Sequence, residues 1–177
     1  MKTLYLIRDA KSDWTTPDTR DFERSLTKKG KKDVKTIGSY FLLRGISPDL
    51  ILSSFSLRSQ ETSDLLAKVI DSDAKKLYME EFYMKPVENM KEIIMAQDNS
   101  VDKLFVIGHN PQISEIINMI NDEHVNKVPS MGVVAVDFEI KEWSELENTK
   151  GKIDFFIFPK QFKYYMPKQI RASLPLT

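Results

Sequence analysis

The 177-residue chain reads as an α/β protein, a three-layer α/β/α sandwich built on a mainly parallel sheet. Three observations predict this. Short apolar runs of strand length alternate with stretches of helical periodicity, the pattern of βαβ units. Two of the runs, Leu4-Tyr5-Leu6-Ile7 and Leu104-Phe105-Val106-Ile107, are unbroken and read as buried strands. These runs, and Leu50-Ile51-Leu52, are followed by polar residues: Arg8-Asp9-Ala10, Gly108-His109-Asn110-Pro111 and Ser53-Ser54-Phe55-Ser56-Leu57-Arg58. Open α/β sheets collect ligands at such carboxyl ends, and two arginines with a histidine describe an anion pocket.

Residues 3–8 are the first predicted strand, and residues 9–26 a polar loop containing Pro17 and several aspartates. Thr27 is a plausible N-cap for a helix reaching about Arg44, with Gly45 just past its end. Val34, Ile37 and Phe41 share one face of that helix. Lys28, Lys29, Lys31, Lys32 and Lys35 crowd its start; they read as a solvated face, with attraction of phosphorylated partners as the alternative. Residues 49–54 form the second strand. Ser56, or the residue before it, starts a helix to about Ile70 whose apolar side is Leu57, Leu65, Leu66 and Val69. Arg58 lies in its first turn, where the helix dipole disfavours a cation. A bound anion would explain its presence, and a surface pair with Glu61 or Glu81 is the bland alternative.

A short strand around Lys76–Met79, a helix from about Val87 to Ala96, the strand at 103–107 and a helix from about Pro111 to Ile120 follow. Pro111 suits the first helical position, so His109 stands beside a helix N-terminus that favours phosphate, unless it merely satisfies a local turn. Gly108 permits close backbone approach. His124 lies in a polar segment and reads as a surface residue. Residues 132–139 and 153–158 are two further strands. No Gly- or Ser-rich linker and no repeat divides the chain, so residues 1–177 are read as one domain. Residues 159–177 read as a basic, aromatic tail whose aromatics pack on that domain while Lys160, Lys163, Lys168 and Arg171 face water.

Composition sets bounds. A hydrophobic fraction of 41% suits a globular core. Lys+Arg and Asp+Glu each number 26, so no general attraction to nucleic acid is implied. The absence of cysteine excludes disulfides, thiolate metal sites and cysteine nucleophiles. The first apolar run is too short for a signal sequence, and no run approaches membrane-spanning length. A cytoplasmic protein without nucleic-acid or membrane partners is therefore expected. A nucleotide-binding α/β protein is disfavoured, because neither Gly-x-x-x-x-Gly-Lys nor Gly-x-Gly-x-x-Gly occurs.

Four stretches in order, Arg8-Asp9-Ala10-Lys11, Arg24-Ser25-Leu26-Thr27-Lys28-Lys29-Gly30, Ser54-Phe55-Ser56-Leu57-Arg58-Ser59-Gln60-Glu61-Thr62 and Gly108-His109-Asn110-Pro111, resemble the motifs of the histidine phosphatase superfamily. In its compact form the likeness is to SixA-type phosphohistidine phosphatases. The resemblance spans residues 1 to about 111 and implies the phosphoglycerate mutase-like fold. It further implies a metal-independent phosphatase, with no cofactor, acting on a phosphohistidine-bearing protein or a small phosphorylated substrate, and with affinity for phosphate-like anions. Arg8, Arg24 and Arg58 would hold the phosphoryl oxygens, as guanidinium forks do, and His109 would donate a hydrogen bond to them. Little room between Arg58 and His109 is left for a covering insertion, so an open site is expected, with Glu80 or Glu81 as a candidate acid.

One departure matters most: Asp9 occupies the place of the family's nucleophilic histidine. Phe55, Ser59 and Glu61 also depart from the pattern, at positions that carry no chemistry in the family. A carboxylate is shorter than imidazole and repels an anionic substrate, and Asp9 is expected to pair with Arg8 or Arg58. Three readings follow: an inactivated form of an active phosphatase, a phospholigand-binding module without turnover, or an enzyme that uses Asp9 directly.

Overall fold

The computed structural model describes residues 1–15 and 17–165, the last three by their backbone alone. Six strands form one sheet: β1 (Lys2–Arg8), β2 (Leu50–Ser54), β3 (Lys75–Met79), β4 (Lys103–Gly108), β5 (Val133–Phe138) and β6 (Lys152–Ile157). Their spatial order is β3-β2-β4-β1-β5-β6. The first four run parallel, while β5 pairs antiparallel with both β1 and β6. The helices are α1 (Lys28–Arg44), α2 (Leu57–Val69), α3 (Val87–Met95), α4 (Gln112–Ile120) and α5 (Pro159–Tyr165). Lys168 and Arg171 of the expected tail lie outside the described residues.

The two-residue period of the strands sorts the core into two layers. Leu4, Leu6, Leu104, Val106, Val134 and Val136 pack against α3 and α4. Their neighbours Tyr5, Ile7, Phe105, Ile107, Val133 and Ala135 pack with α1 and α2 residues such as Val34, Ile37, Phe41 and Leu66. The unbroken apolar runs are thus strands covered on both faces. Among the described residues no helix is long and apolar enough to cross a membrane.

α1 forms as its sequence dictates. The Thr27 hydroxyl accepts from Gly30 N at 3.0 Å, Gly45 takes φ 66° past the last turn, and Ile46 N closes back on Phe41 O at 2.9 Å. α2 departs from expectation. Leu57 is exposed, Leu65 and Val69 are half-buried, and the buried face carries Arg58, Ser59, Thr62, Ser63, Leu66 and Ala67. The first turns of α2 lie against the polar end of β1, where Thr62 Oγ1 accepts from Ala10 N at 3.2 Å. Thr62 and Ser63 also return their hydroxyl protons to the carbonyls of Arg58 and Ser59, so small polar residues can be buried there without orphaned donors. α4 begins one residue later than predicted: Pro111, after a cis peptide bond, takes the cap position.

The backbone that follows β1 is clamped by α1. Lys11 O accepts from Thr27 N at 3.0 Å and from the Thr27 hydroxyl at 3.3 Å. A Cβ on Gly30 would stand 2.2 Å from that same oxygen, and a backbone carbonyl with two donors cannot give way cheaply. Gly30→Ala should therefore destabilise the protein by about 1–3 kcal/mol, the usual cost of overpacking, read from the midpoint of a denaturant transition. An unchanged midpoint would show that the clamp is loose.

Candidate active site

The parallel register brings the sequence-predicted residues to one edge. Arg8 lies opposite Gly108, and Asp9 N donates to Gly108 O at 2.9 Å, so Asp9 and His109 leave neighbouring strands side by side. β2 flanks β4 on the other side and delivers Ser54, and α2 begins immediately beyond. Arg8, Asp9, Arg24, Arg58 and His109 all line an open cleft of about 940 Å³.

One carboxylate oxygen lies where their donors converge. Asp9 Oδ2 is 3.0 Å from Arg58 Nε and 2.7 Å from His109 Nδ1, and it accepts from the Ser59 hydroxyl at 3.3 Å. The His109 contact is close but poorly directed: Nδ1 is buried with no aligned hydrogen-bond partner, so the attraction is one of charge when the ring is protonated. On its other side, His109 Nε2 lies 2.8 Å from Ser54 Oγ and 3.3 Å from Ser56 Oγ. The Ser54–His109–Asp9 chain has the order of an acyl-transfer triad, yet Ser54 is fully buried, which denies a substrate access to its hydroxyl. The chemistry on offer is anion binding.

Arg58 is held from a second side. Its Nη1 donates to Asp21 O at 2.9 Å and its Nη2 to Asp21 Oδ2 at 3.3 Å. Asp21 also accepts from Arg24 Nε and Nη2 at 3.1 and 2.9 Å and from the Tyr83 hydroxyl. Burial alone would raise the Asp21 carboxyl, but the Tyr83 hydrogen bond with the charges of Arg58 and Arg24 outweighs it and holds the group below its ordinary 3.8. Burial, with the bond to Asp21 and its charge, pushes Tyr83 up to about 12. Arg24 Nη1 reaches Ser12 Oγ at 2.6 Å, and Arg8 Nη1 donates to Val128 O at 3.0 Å.

Sequence reasoning missed Asp21, Tyr83, Ser54 and Ser59. Asp21 stands three residues before Arg24, a helical pairing distance that offered a signal; Tyr83 offered none. Arg58 pairs with Asp9, as expected, and also with Asp21; the alternative of a surface pair with Glu61 or Glu81 does not hold, and Glu61 Oε1 accepts from Leu26 N at 3.1 Å. Glu80 and Glu81 are exposed and do not line the cleft, whose carboxylates are Asp9, Asp21 and Glu115. Asp9 pairs with Arg58. His124 is exposed, its Nε2 at 2.7 Å from Asn126 Oδ1, and is not among the cleft residues.

No family model matches the chain. An Agrobacterium tumefaciens protein proposed to be the phosphohistidine phosphatase SixA superposes with a TM-score of 0.76 at 25% identity, over 88% of this chain and 97% of that one. The protein histidine phosphatase SixA in complex with tungstate gives 0.79 at 15% identity, over 90% of this chain and 99% of its own. An uncharacterized chloroplastic protein of Arabidopsis thaliana is 27% identical over an alignment 129 residues long that covers 68% of this chain and 59% of that protein, so the chain spans about three-fifths of the relative's length.

The Asp21 linkage has a pH signature. Its folded pKa is depressed, so its contribution to stability is complete above its ordinary value and is lost as pH falls through the lower folded value. Between about pH 5 and about pH 2 the chain should lose more thermal stability than Asp21→Asn does, followed by circular dichroism melts across that range. Parallel curves for the two proteins would remove Asp21 from the network.

Proposed function

We propose that this chain, which has the histidine phosphatase fold, binds phosphoryl groups between Arg8, Arg24, Arg58 and His109. On this reading it is a metal-independent phosphatase of phosphohistidine-bearing proteins whose turnover is suppressed by Asp9. The carrying observation is the convergence on Asp9 Oδ2: Arg58 Nε, His109 Nδ1 and Ser59 Oγ already surround one anionic oxygen. A phosphoryl oxygen asks for the same donors.

A histidine at position 9 would attack phosphorus in line, forming a P–N bond as the bond to the leaving group breaks; water would then cleave the phosphohistidine and release phosphate. With Asp9 the carboxylate takes donors that the phosphoryl group needs and sets a negative charge against it. At about 4 Å and an effective dielectric of about 20, like charges repel by about 4 kcal/mol, so the suppression is large. The alternative is a phospholigand-binding module without turnover. Ser59 favours it, because that side chain gives the carboxylate a dedicated donor.

Asp9→His should hydrolyse a phosphohistidine protein at least about a thousandfold faster than the chain with Asp9, at a rate unchanged by EDTA. Equal rates would overturn the role given to Asp9. Asp9→Asn, which keeps the shape and removes the charge, should bind tungstate at least about tenfold more tightly by calorimetry. No gain in affinity would mean that Asp9 does not compete for the anion site.

A further inference from the structure

The cleft is larger than a phosphoryl group requires, and its outer wall carries large apolar side chains beside lysines. Among the described residues, two of the large apolar side chains left exposed, Trp14 and Met84, line this cleft. They are 75% and 81% exposed. Isolated apolar residues on a surface need no explanation, but these two are held in place. Trp14 stacks on the Arg24 guanidinium, whose carbon lies 3.3 Å from the ring centre, while Arg24 is fixed by Ser12 and Asp21. Met84 takes φ 51°, an unfavourable conformation for a residue with a side chain. It is kept there from both sides: the Tyr83 hydroxyl is bound to Asp21, and Lys85 O accepts from the Gln112 side chain. Asp21 thus connects Trp14, Met84 and the phosphoryl-binding Arg58.

We infer that Trp14 and Met84 form a docking rim for the protein that carries the phosphoryl group. The rim takes an apolar side chain next to the phosphorylated residue, and the exposed Lys11 and Lys85 meet acidic groups beside it. This rests on the phosphoryl-binding reading of the site. Two features favour a protein over a small metabolite. Pockets for small ligands enclose most of their guest, whereas side chains exposed by three-quarters or more can cover only the edge of one. Trp14 stacked on Arg24, with Met84 beside the same cleft, combines the residue types that protein interfaces favour. The charge of this cleft also suits an acidic segment: Asp9 and Asp21 are bound to Arg58, and the exposed Lys11 and Lys85 outnumber the one other cleft carboxylate, the exposed Glu115.

The test uses the chain as it stands, with Asp9, and two peptides bearing a hydrolysis-stable phosphohistidine analogue between acidic residues. One peptide has leucine beside the analogue and the other serine; tungstate serves as the bare oxyanion. Calorimetry should show the leucine peptide binding at least tenfold more tightly than the serine peptide. Met84→Ser should bring that preference within twofold while leaving tungstate affinity within twofold of its starting value. Trp14, exposed where Trp143 is fully buried, should give a fluorescence change with the leucine peptide that tungstate does not produce. Equal binding of the two peptides, or a preference that survives Met84→Ser, would overturn the rim. Tighter binding of a free aryl phosphate than of either peptide would overturn the choice of a protein substrate. Failure of tungstate itself to bind would overturn the phosphoryl site, an outcome distinct from the others.

Discussion

The hydrogen bond from Asp9 N to Gly108 O extends the parallel pairing of β1 and β4 one step past Arg8. That step fixes which side chains meet. A slip by one residue would exchange the two faces of β1, placing Leu4 and Leu6 among the partners of Tyr5 and Ile7. Both faces are closed by helices, so the core resists such a slip, and Asp9 and His109 are held abreast by the packing of residues far from either. The Lys11–Thr27–Gly30 clamp secures the next turn of chain. The rigidity of the site is borrowed from the sheet and from the N-terminus of α1.

The electrostatics of the cleft follow from the cost of burying charge. Arg58 and Asp9 are both nearly inaccessible to water, and a buried guanidinium without a partner would be strongly destabilising. Asp9 and Asp21 supply that partner from two sides. The same arrangement sets the terms for any ligand, since an incoming oxyanion must share donors that carboxylates already hold. Asp21 contributes in a second way. It lies between Arg58, Arg24 and Tyr83, so the cleft arginines and the residues that shape the outer wall form one hydrogen-bonded assembly.

Ser59 gives a further connection. In the family pattern that the sequence resembles, its position is neutral to the chemistry, yet in the fold it reaches Asp9 at 3.3 Å. Phe55, another departure from that pattern, packs against Phe22 and Tyr83 with ring centres 5.8 and 5.3 Å apart. Glu61 binds the backbone of Leu26. Each of these departures therefore touches the loop between β1 and α1 or the residues beneath it, and the loop with Trp14 and Asp21 is shaped by them.

The strands, the caps of α1 and the gathering of Arg8, Asp9, Arg58 and His109 at one edge are legible in the sequence alone. Those features are written locally, in two-residue and helical periods, in Thr27 and Gly45, and in polar residues at strand ends. The tertiary structure decided the rest. That β5 runs against β1 follows from the path of residues 121–132, which return to the cleft edge, where Val128 O meets both Arg8 and Asn110. That α2 buries Ser59, Thr62 and Ser63 in place of Leu57 depends on its neighbour being the polar end of β1. That Asp21, Tyr83, Trp14 and Met84 line the same cleft as Arg58 and His109 depends on two loops meeting across it. Such meetings are contacts between residues distant in sequence, set by packing and charge pairing, and no local period encodes them.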